Sequence, residues 1–122
     1  KMSVEYIYTF HGDSDHKYIW EHIEEGRSYR LYIAKTRVPL PIPQNIKVVF
    51  NIESQRVHTG YSLKDPLVYY INKYMAGEKY IASNKRDSPI PVVYMPRSFF
   101  EQTRTQDNRP RQIQIIVYWN DE

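Results

Sequence analysis

The chain contains no cysteine among its 122 residues. This absence excludes disulfides, zinc sites built on thiolates and cysteine nucleophiles. Glycine is scarce, and its four residues are not clustered, so no glycine-rich loop for phosphates is present. No apolar run approaches the roughly 18 residues of a membrane span, and no signal peptide is visible. We therefore expect a cytoplasmic protein without a membrane partner.

The length predicts one domain over residues 1–122, which is enough chain for a single hydrophobic core. Lys1 precedes Met2, the usual first residue, and we interpret Lys1 as vector-derived. Alternating apolar and polar side chains predict strands. The predicted strands cover residues 3–10, 28–38, 45–53, 92–95 and 112–119, with a shorter one within residues 78–83.

Two segments carry helix signals. Residues 16–25 follow three capping side chains, Asp13, Ser14 and Asp15, and end before Gly26, which suits the position after a helix. Residues 66–76 have an amphipathic stripe at helical spacing, with capping residues before and after them. Those capping residues are Asp65, Pro66 and Gly77. The combined elements predict an α+β domain with a mostly antiparallel sheet of about five strands and two helices.

Charge is unevenly distributed along the chain, although the net charge is only +3. Residues 1–25 carry a net charge of −4, residues 26–64 carry +6, and residues 65–122 carry +1. A basic middle section is typical of a protein that binds a polyanion. The alternative is surface charge that serves solubility alone.

The basic section includes "GRSYRLYIAKTRVP", residues 26–39, which alternates like a strand. Tyr29, Leu31 and Ile33 share one face, which suits a core. Arg30 and Tyr32 share the other face and lie about 7 Å apart along the strand. A cation beside an aromatic ring is what single-stranded nucleic acid requires, because phosphates need positive charge and bases stack on rings.

The chain also has twelve tyrosines, whose rings suit half-exposed surfaces. We predict that the basic strand forms the floor of a groove and that the loops "NKRDS" and "TRTQDNRPR" act as mobile arms over it. The predicted contact residues are Arg27, Arg30, Tyr32, Lys35, Arg37, Lys47, Arg56, Lys85, Arg86, Arg104, Arg109 and Arg111.

Two catalytic interpretations are suggested by short segments, and neither is favoured by its surroundings in the sequence. The segment "HGDSDH" holds histidines and carboxylates that suit a divalent cation, but Asp and Ser before a helix usually act as caps. Tyr70 and Lys73 have the Tyr-x-x-Lys spacing that resembles the nicking tyrosine of rolling-circle initiators. Those enzymes also need two histidines on a strand, and here His58 stands alone. We predict no catalytic residue, metal or cofactor.

In its lack of cysteine and its abundance of Tyr, Ile and Lys, the chain resembles the small proteins of viruses that infect hyperthermophilic archaea. That group includes a family of single-stranded DNA-binding proteins from rod-shaped viruses, which form dimers around a U-shaped cleft. The resemblance is one of composition, so it assigns no residue a role. It implies a homodimer in the host cytoplasm.

These observations predict a non-enzymatic protein that binds single-stranded nucleic acid, DNA rather than RNA, largely without sequence preference. No small-molecule substrate is expected. The alternative is a viral or host-directed module that docks another protein through a tyrosine-rich surface.

Overall fold

The structure is a computed structural model that describes residues 2–52, 66–71, 74–75, 77–82 and 85–120. These residues form nine strands, one α-helix and one 3-10 turn. The strands are β1 (Ser3–Ser14), β2 (Lys17–Glu24), β3 (Arg27–Ala34), β4 (Asn45–Ile52), β5 (Leu67–Ile71), β6 (Tyr74–Met75), β7 (Lys79–Ile81), β8 (Val92–Tyr94) and β9 (Ile113–Tyr118). The 3-10 turn covers Lys35–Arg37, and α1 covers Arg97–Thr103.

All nine strands belong to one antiparallel sheet with the order β5-β9-β4-β1-β2-β3-β8-β7-β6. The sheet curls until strands from its two ends meet. Tyr69 of β5 donates a hydrogen bond from its hydroxyl to Ser88 Oγ, at 2.9 Å, and Ser88 lies shortly before β8. The ring of Trp20 on β2 lies 6.1 Å from the ring of Trp119, which follows β9. One hydrophobic core therefore fills the inside of a nearly closed sheet.

The α+β prediction is wrong, because the described chain is dominated by strands and contains one α-helix. The first predicted helix, residues 16–25, is strand β2. Its aromatic and β-branched side chains suit a pleated surface. Glu25 and Gly26 form a tight turn into β3, with φ of 51° and 74°. Gly26 therefore lies in a hairpin turn. The sequence suggested a helix end because both positions require the same left-handed backbone conformation.

The second predicted helix, residues 66–76, is also wrong. The segment forms β5 and β6, and Leu67, Tyr69 and Ile71 alternate into the core. A short run with apolar side chains on both faces fits a helix and a strand equally well, so its periodicity does not decide between them. Pairing with β9 along Leu67–Ile71 satisfies the backbone groups on one edge of β5. Asp65, the predicted cap, lies outside the described residues.

The other predicted strands are present, with shifted ends. β1 continues to Ser14, beyond the predicted end at residue 10. β3 ends at Ala34, where the chain turns into the 3-10 segment, so the predicted extension to residue 38 is wrong. The α-helix that is present, α1, lies in neither of the two segments predicted to be helical.

Helix α1 covers one end of the curled sheet. Phe99 and Phe100 are buried, and the ring of Phe99 packs 6.0 Å from that of Phe50 on β4. Ser98 Oγ meets the Tyr6 hydroxyl at 2.7 Å, which ties the helix to β1. The helix has seven residues, far fewer than the roughly 20 that a bilayer requires, and no helix among the described residues could span a membrane.

Candidate nucleic-acid interface

Apart from Tyr29, the faces of β3 are those that the sequence predicts. Leu31 and Ile33 are fully buried, whereas Arg30 is exposed and Tyr32 is half-buried on the outside of the sheet. Tyr29, predicted to lie on the core face, is half-buried near the start of the strand. Alternation along β3 therefore places one cation and one ring side by side on the outer surface.

A groove opens where β3 separates from β8. Within the described chain, the register between these strands joins Leu31 to Val93 alone. Beyond that pair, the backbone N–H of Met95 donates to the carbonyl of Glu78 at 2.8 Å instead of pairing with β3. The separation leaves a cavity of about 490 Å³. Its lining residues are Arg27, Ser28, Tyr29, Arg30, Tyr32, Gly77, Glu78, Tyr94 and Met95.

Two arginines and three tyrosines thus share one concave surface, which we call the β3 groove. Arg27, Arg30 and Tyr32 are predicted contact residues, and the structure brings these three together. Tyr29 and Tyr94 were missed. Tyr29 has the parity of the core face, and Tyr94 lies in a three-residue strand whose position beside β3 depends on long-range pairing.

Arg30 is held from one side by a polar chain that crosses β2. Its Nη2 atom donates to His11 Nε2 at 3.1 Å, and His11 Nδ1 lies 3.4 Å from Glu21 Oε2. Because a guanidinium group can only donate, Nε2 of His11 accepts, and the proton of a neutral ring lies on Nδ1, facing Glu21. Ser28 Oγ donates to the same Glu21 oxygen at 2.7 Å. These side-chain contacts orient Arg30, and the Glu21 carboxylate partly balances its charge.

Lys35, at the far end of β3, is directed away from this arrangement. Its Nζ atom donates to Asp13 Oδ2 at 2.7 Å and lies 5.1 Å from the centre of the Tyr18 ring. The hydrogen bond to Asp13 raises the pKa of the lysine ammonium above its usual value. Lys35 is therefore ion-paired with Asp13 near the tip of the β1–β2 hairpin, and it does not line the groove.

The other predicted cations are dispersed. Lys47 on β4 lies 5.0 Å from the Tyr118 ring, on a strand separated from β3 by β1 and β2. Lys85, Arg86, Arg104 and Arg111 are exposed outside the strands, and Arg37 is half-buried in the 3-10 turn. Arg56 lies outside the described residues. Of the predicted cations, Arg27 and Arg30 line the groove, and Arg109 lies next to it through its contact with Glu78.

Arg109 does not line the groove, but it contacts Glu78, which does. Its Nη1 atom lies 3.6 Å from Glu78 Oε2, and its guanidinium carbon lies 3.8 Å from the centre of the Phe100 ring. Arg97 Nε donates to the other Glu78 oxygen at 3.3 Å. Sequence reasoning missed Arg97 and Glu78. No local sequence pattern predicts that these two residues are in contact, because one lies in the β6–β7 turn and the other at the start of α1.

The two catalytic interpretations have no structural counterpart in the part of the chain that is described. No group of three metal-ligating side chains is found there, and Asp13 in the "HGDSDH" segment is bonded to Lys35. Tyr70 lies on β5, where its hydroxyl accepts a hydrogen bond from Gln114 Nε2 at 2.8 Å. His58 and Lys73 lie outside the described residues.

Comparison of the chain with protein-family models, curated proteins and solved structures gave no match.

Proposed function

We propose that the protein binds single-stranded nucleic acid, DNA in preference to RNA, in the β3 groove, without catalysis and largely without sequence preference. One observation carries the proposal, which is that Arg27, Arg30, Tyr29, Tyr32 and Tyr94 line the same cavity. Separate surface arginines and tyrosines are common, but five of them in one groove match the two requirements of an unpaired strand. We further propose that it acts in the cytoplasm, the host cytoplasm if the chain is viral.

The tyrosine rings supply the part of the affinity that does not depend on salt. Stacking contributes about 1–3 kcal/mol per base, and it tolerates every base because all have an aromatic face. Tyr32 and Tyr94 stand on neighbouring strands at the edges of the separation between β3 and β8. A cavity of about 490 Å³ is large enough for one or two bases, not for a duplex.

The arginines supply the part that depends on salt. Arg27 is exposed, and Arg30 has N–H groups beyond the one that meets His11. Each phosphate that is neutralised on a single strand adds about 0.7 to the slope of log affinity against log salt. Two arginines therefore predict a modest slope and micromolar affinity, in contrast to proteins that bind duplex DNA through many phosphates.

A direct test is the mobility shift of labelled oligothymidylate, oligouridylate and duplex DNA at two salt concentrations. The proposal predicts a retarded complex with both single strands, tighter with DNA, that weakens as salt increases. An unchanged mobility at high protein concentration, or a preference for duplex, would refute it.

A second candidate is association through an apolar patch. Ile7 on β1 and Ile23 on β2 are 45% and 63% exposed on adjacent strands, on the outside of the sheet. Exposed isoleucines of this kind are found at protein interfaces. We propose a homodimer through this patch, and multi-angle light scattering of the wild type and of Ile23→Lys tests it. A monomeric mass for both proteins would contradict the dimer.

A further inference from the structure

Glu78 carries the negative charge that lines the β3 groove on the side opposite β3. Each of its two oxygens faces an arginine, with Arg97 Nε at 3.3 Å and Arg109 Nη1 at 3.6 Å. A carboxylate between two guanidinium groups has the same arrangement of charge as a bound phosphate.

The backbone holds this carboxylate in place. Glu78 has a φ of 61°, in the left-handed region that residues with a side chain seldom adopt. Its carbonyl accepts the backbone N–H of Met95 at 2.8 Å, and this bond fixes the turn against the end of β8. The turn therefore holds the Glu78 backbone beside the two arginines, and the carboxylate itself is held by its contacts with Arg97 and Arg109.

The contacts of Glu78 are weak ones. Arg97 is 58% exposed, so its ion pair is screened by solvent. The separation of 3.6 Å from Arg109 is too long for a hydrogen bond, and the buried Nη1 atom of Arg109 has no hydrogen-bond partner among the described residues. A buried N–H without an acceptor favours an incoming group that brings one.

We propose that Arg97 and Arg109 form a phosphate-binding pair beside the β3 groove, and that Glu78 occupies this pair until a backbone phosphate of the nucleic acid displaces it. The inference rests on the proposed function. It adds a phosphate site next to Glu78, a residue that lines the groove together with Arg27 and Arg30, so that a strand is held at a second point. Glu78 lowers the affinity for weak anions, because a ligand must first replace an internal carboxylate.

Arg109 is preorganised for this role. Its guanidinium group stacks on the buried Phe100 ring at 3.8 Å, which orients its planar face, and its buried Nη1 atom lies beside Glu78. Arg97, at the start of α1, is free to follow the incoming phosphate because its side chain is mostly exposed. One fixed and one adjustable arginine make a bidentate site that does not require movement of the fold.

The experiment compares Glu78→Gln with Glu5→Gln, which removes the same charge from an exposed position on β1 outside the groove lining. Oligothymidylate binding is measured by fluorescence anisotropy, and pyrophosphate binding by NMR of the arginine Nε–H signals. The proposal predicts that Glu78→Gln binds the oligonucleotide about fivefold more tightly than wild type, whereas Glu5→Gln changes affinity by less than about twofold. Adding Arg97→Gln to Glu78→Gln cancels the gain, and circular dichroism shows that each variant is folded.

Each outcome decides between the site and the function. Pyrophosphate that shifts the signals of Arg97 and Arg109 more strongly in Glu78→Gln supports the phosphate site, even if no oligonucleotide binds and the proposed function fails. Oligonucleotide binding that is equal in Glu78→Gln and Glu5→Gln overturns the site and leaves the function standing. Weaker binding by a folded Glu78→Gln also overturns it, because Glu78 would then position the arginines instead of competing for them.

Discussion

Arg30 on β3 and His11 on β1 are joined across β2 by a hydrogen bond of 3.1 Å between Nη2 and Nε2. This contact fixes the direction of one groove arginine, whereas its neighbour Arg27 is exposed. A fixed guanidinium loses less conformational entropy when it binds a phosphate. Arg30 is therefore the cation on which the proposed function depends most.

Arg30→Ala tests this dependence. We expect affinity for oligothymidylate to fall about fivefold to tenfold, and the slope of log affinity against log salt to decrease by about 0.7, because one phosphate contact is lost. The matched control is Arg111→Ala, an exposed arginine outside the groove lining. Equal losses for the two variants in a salt titration would mean that net charge, not the groove, governs binding.

Tyr32→Ala tests the stacking surface. The side chain lies on the outer face of β3, so we expect the protein to remain folded while affinity falls by about 1–3 kcal/mol. Tyr118→Ala, a half-buried tyrosine on the outer face of β9, is the control and should retain binding. Thermal unfolding accompanies the titration. If Tyr32→Ala unfolds the protein, Tyr32 belongs to the core and the stacking role is wrong.

The sequence predicted β1, β3, β4 and β9 because alternation is a local property of strands that are half exposed. It failed for β2 and β5, whose signals were ambiguous. Gly26 follows a helix as readily as it makes a hairpin turn, and Leu67–Ile71 has apolar side chains on both faces. Long-range pairing with β1, β3 and β9 decided both segments as strands.

The candidate site was predictable to the extent that it lies within one strand. Arg27, Arg30 and Tyr32 could be found because period-two geometry fixes which side chains share a face or a strand end. Tyr94, and Arg97 beside Glu78, could not be found, because their positions depend on the single register pair between β3 and β8 and on the turn into α1. No local pattern encodes such contacts.

Tyr8→Phe is expected to stabilise the protein. Tyr8 is fully buried, and among the described residues its hydroxyl has no hydrogen-bond partner. Removing a buried, unpaired hydroxyl relieves a penalty of about 1–3 kcal/mol, which corresponds to a rise in Tm of about 3 °C or more. The control is Tyr69→Phe, which loses the hydrogen bond to Ser88 and should destabilise by about 1 kcal/mol. A lower Tm for Tyr8→Phe would show that its hydroxyl is satisfied.

Stability should decrease in alkaline solution because of Tyr6. Burial, the largest cause, raises the pKa of Tyr6 from 10.0 to about 12. The folded protein therefore holds this proton more tightly than the unfolded chain. The stability that results is complete below pH 10 and is lost as the pH rises through about 12. Burial also raises the pKa of Tyr8, which acts in the same direction.

Urea unfolding at several pH values between about 8 and 11.5 measures this loss. We expect the free energy of unfolding to fall with pH less steeply in Tyr6→Phe than in wild type. The comparison uses slopes because Tyr6→Phe also loses the contact with Ser98, which lowers stability at every pH. Parallel slopes for the two proteins would mean that the Tyr6 phenol is not protected from ionisation by the fold.

The most direct test of the account is an NMR titration of the labelled protein with oligothymidylate, followed through backbone amide and arginine side-chain signals. The account predicts saturable shifts centred on Arg27–Tyr32 and Tyr94, with the signals around Lys47 and Tyr118 unchanged. Shifts centred on β4 and β9, or no shifts at protein concentrations well above micromolar, would contradict a nucleic-acid site in the β3 groove.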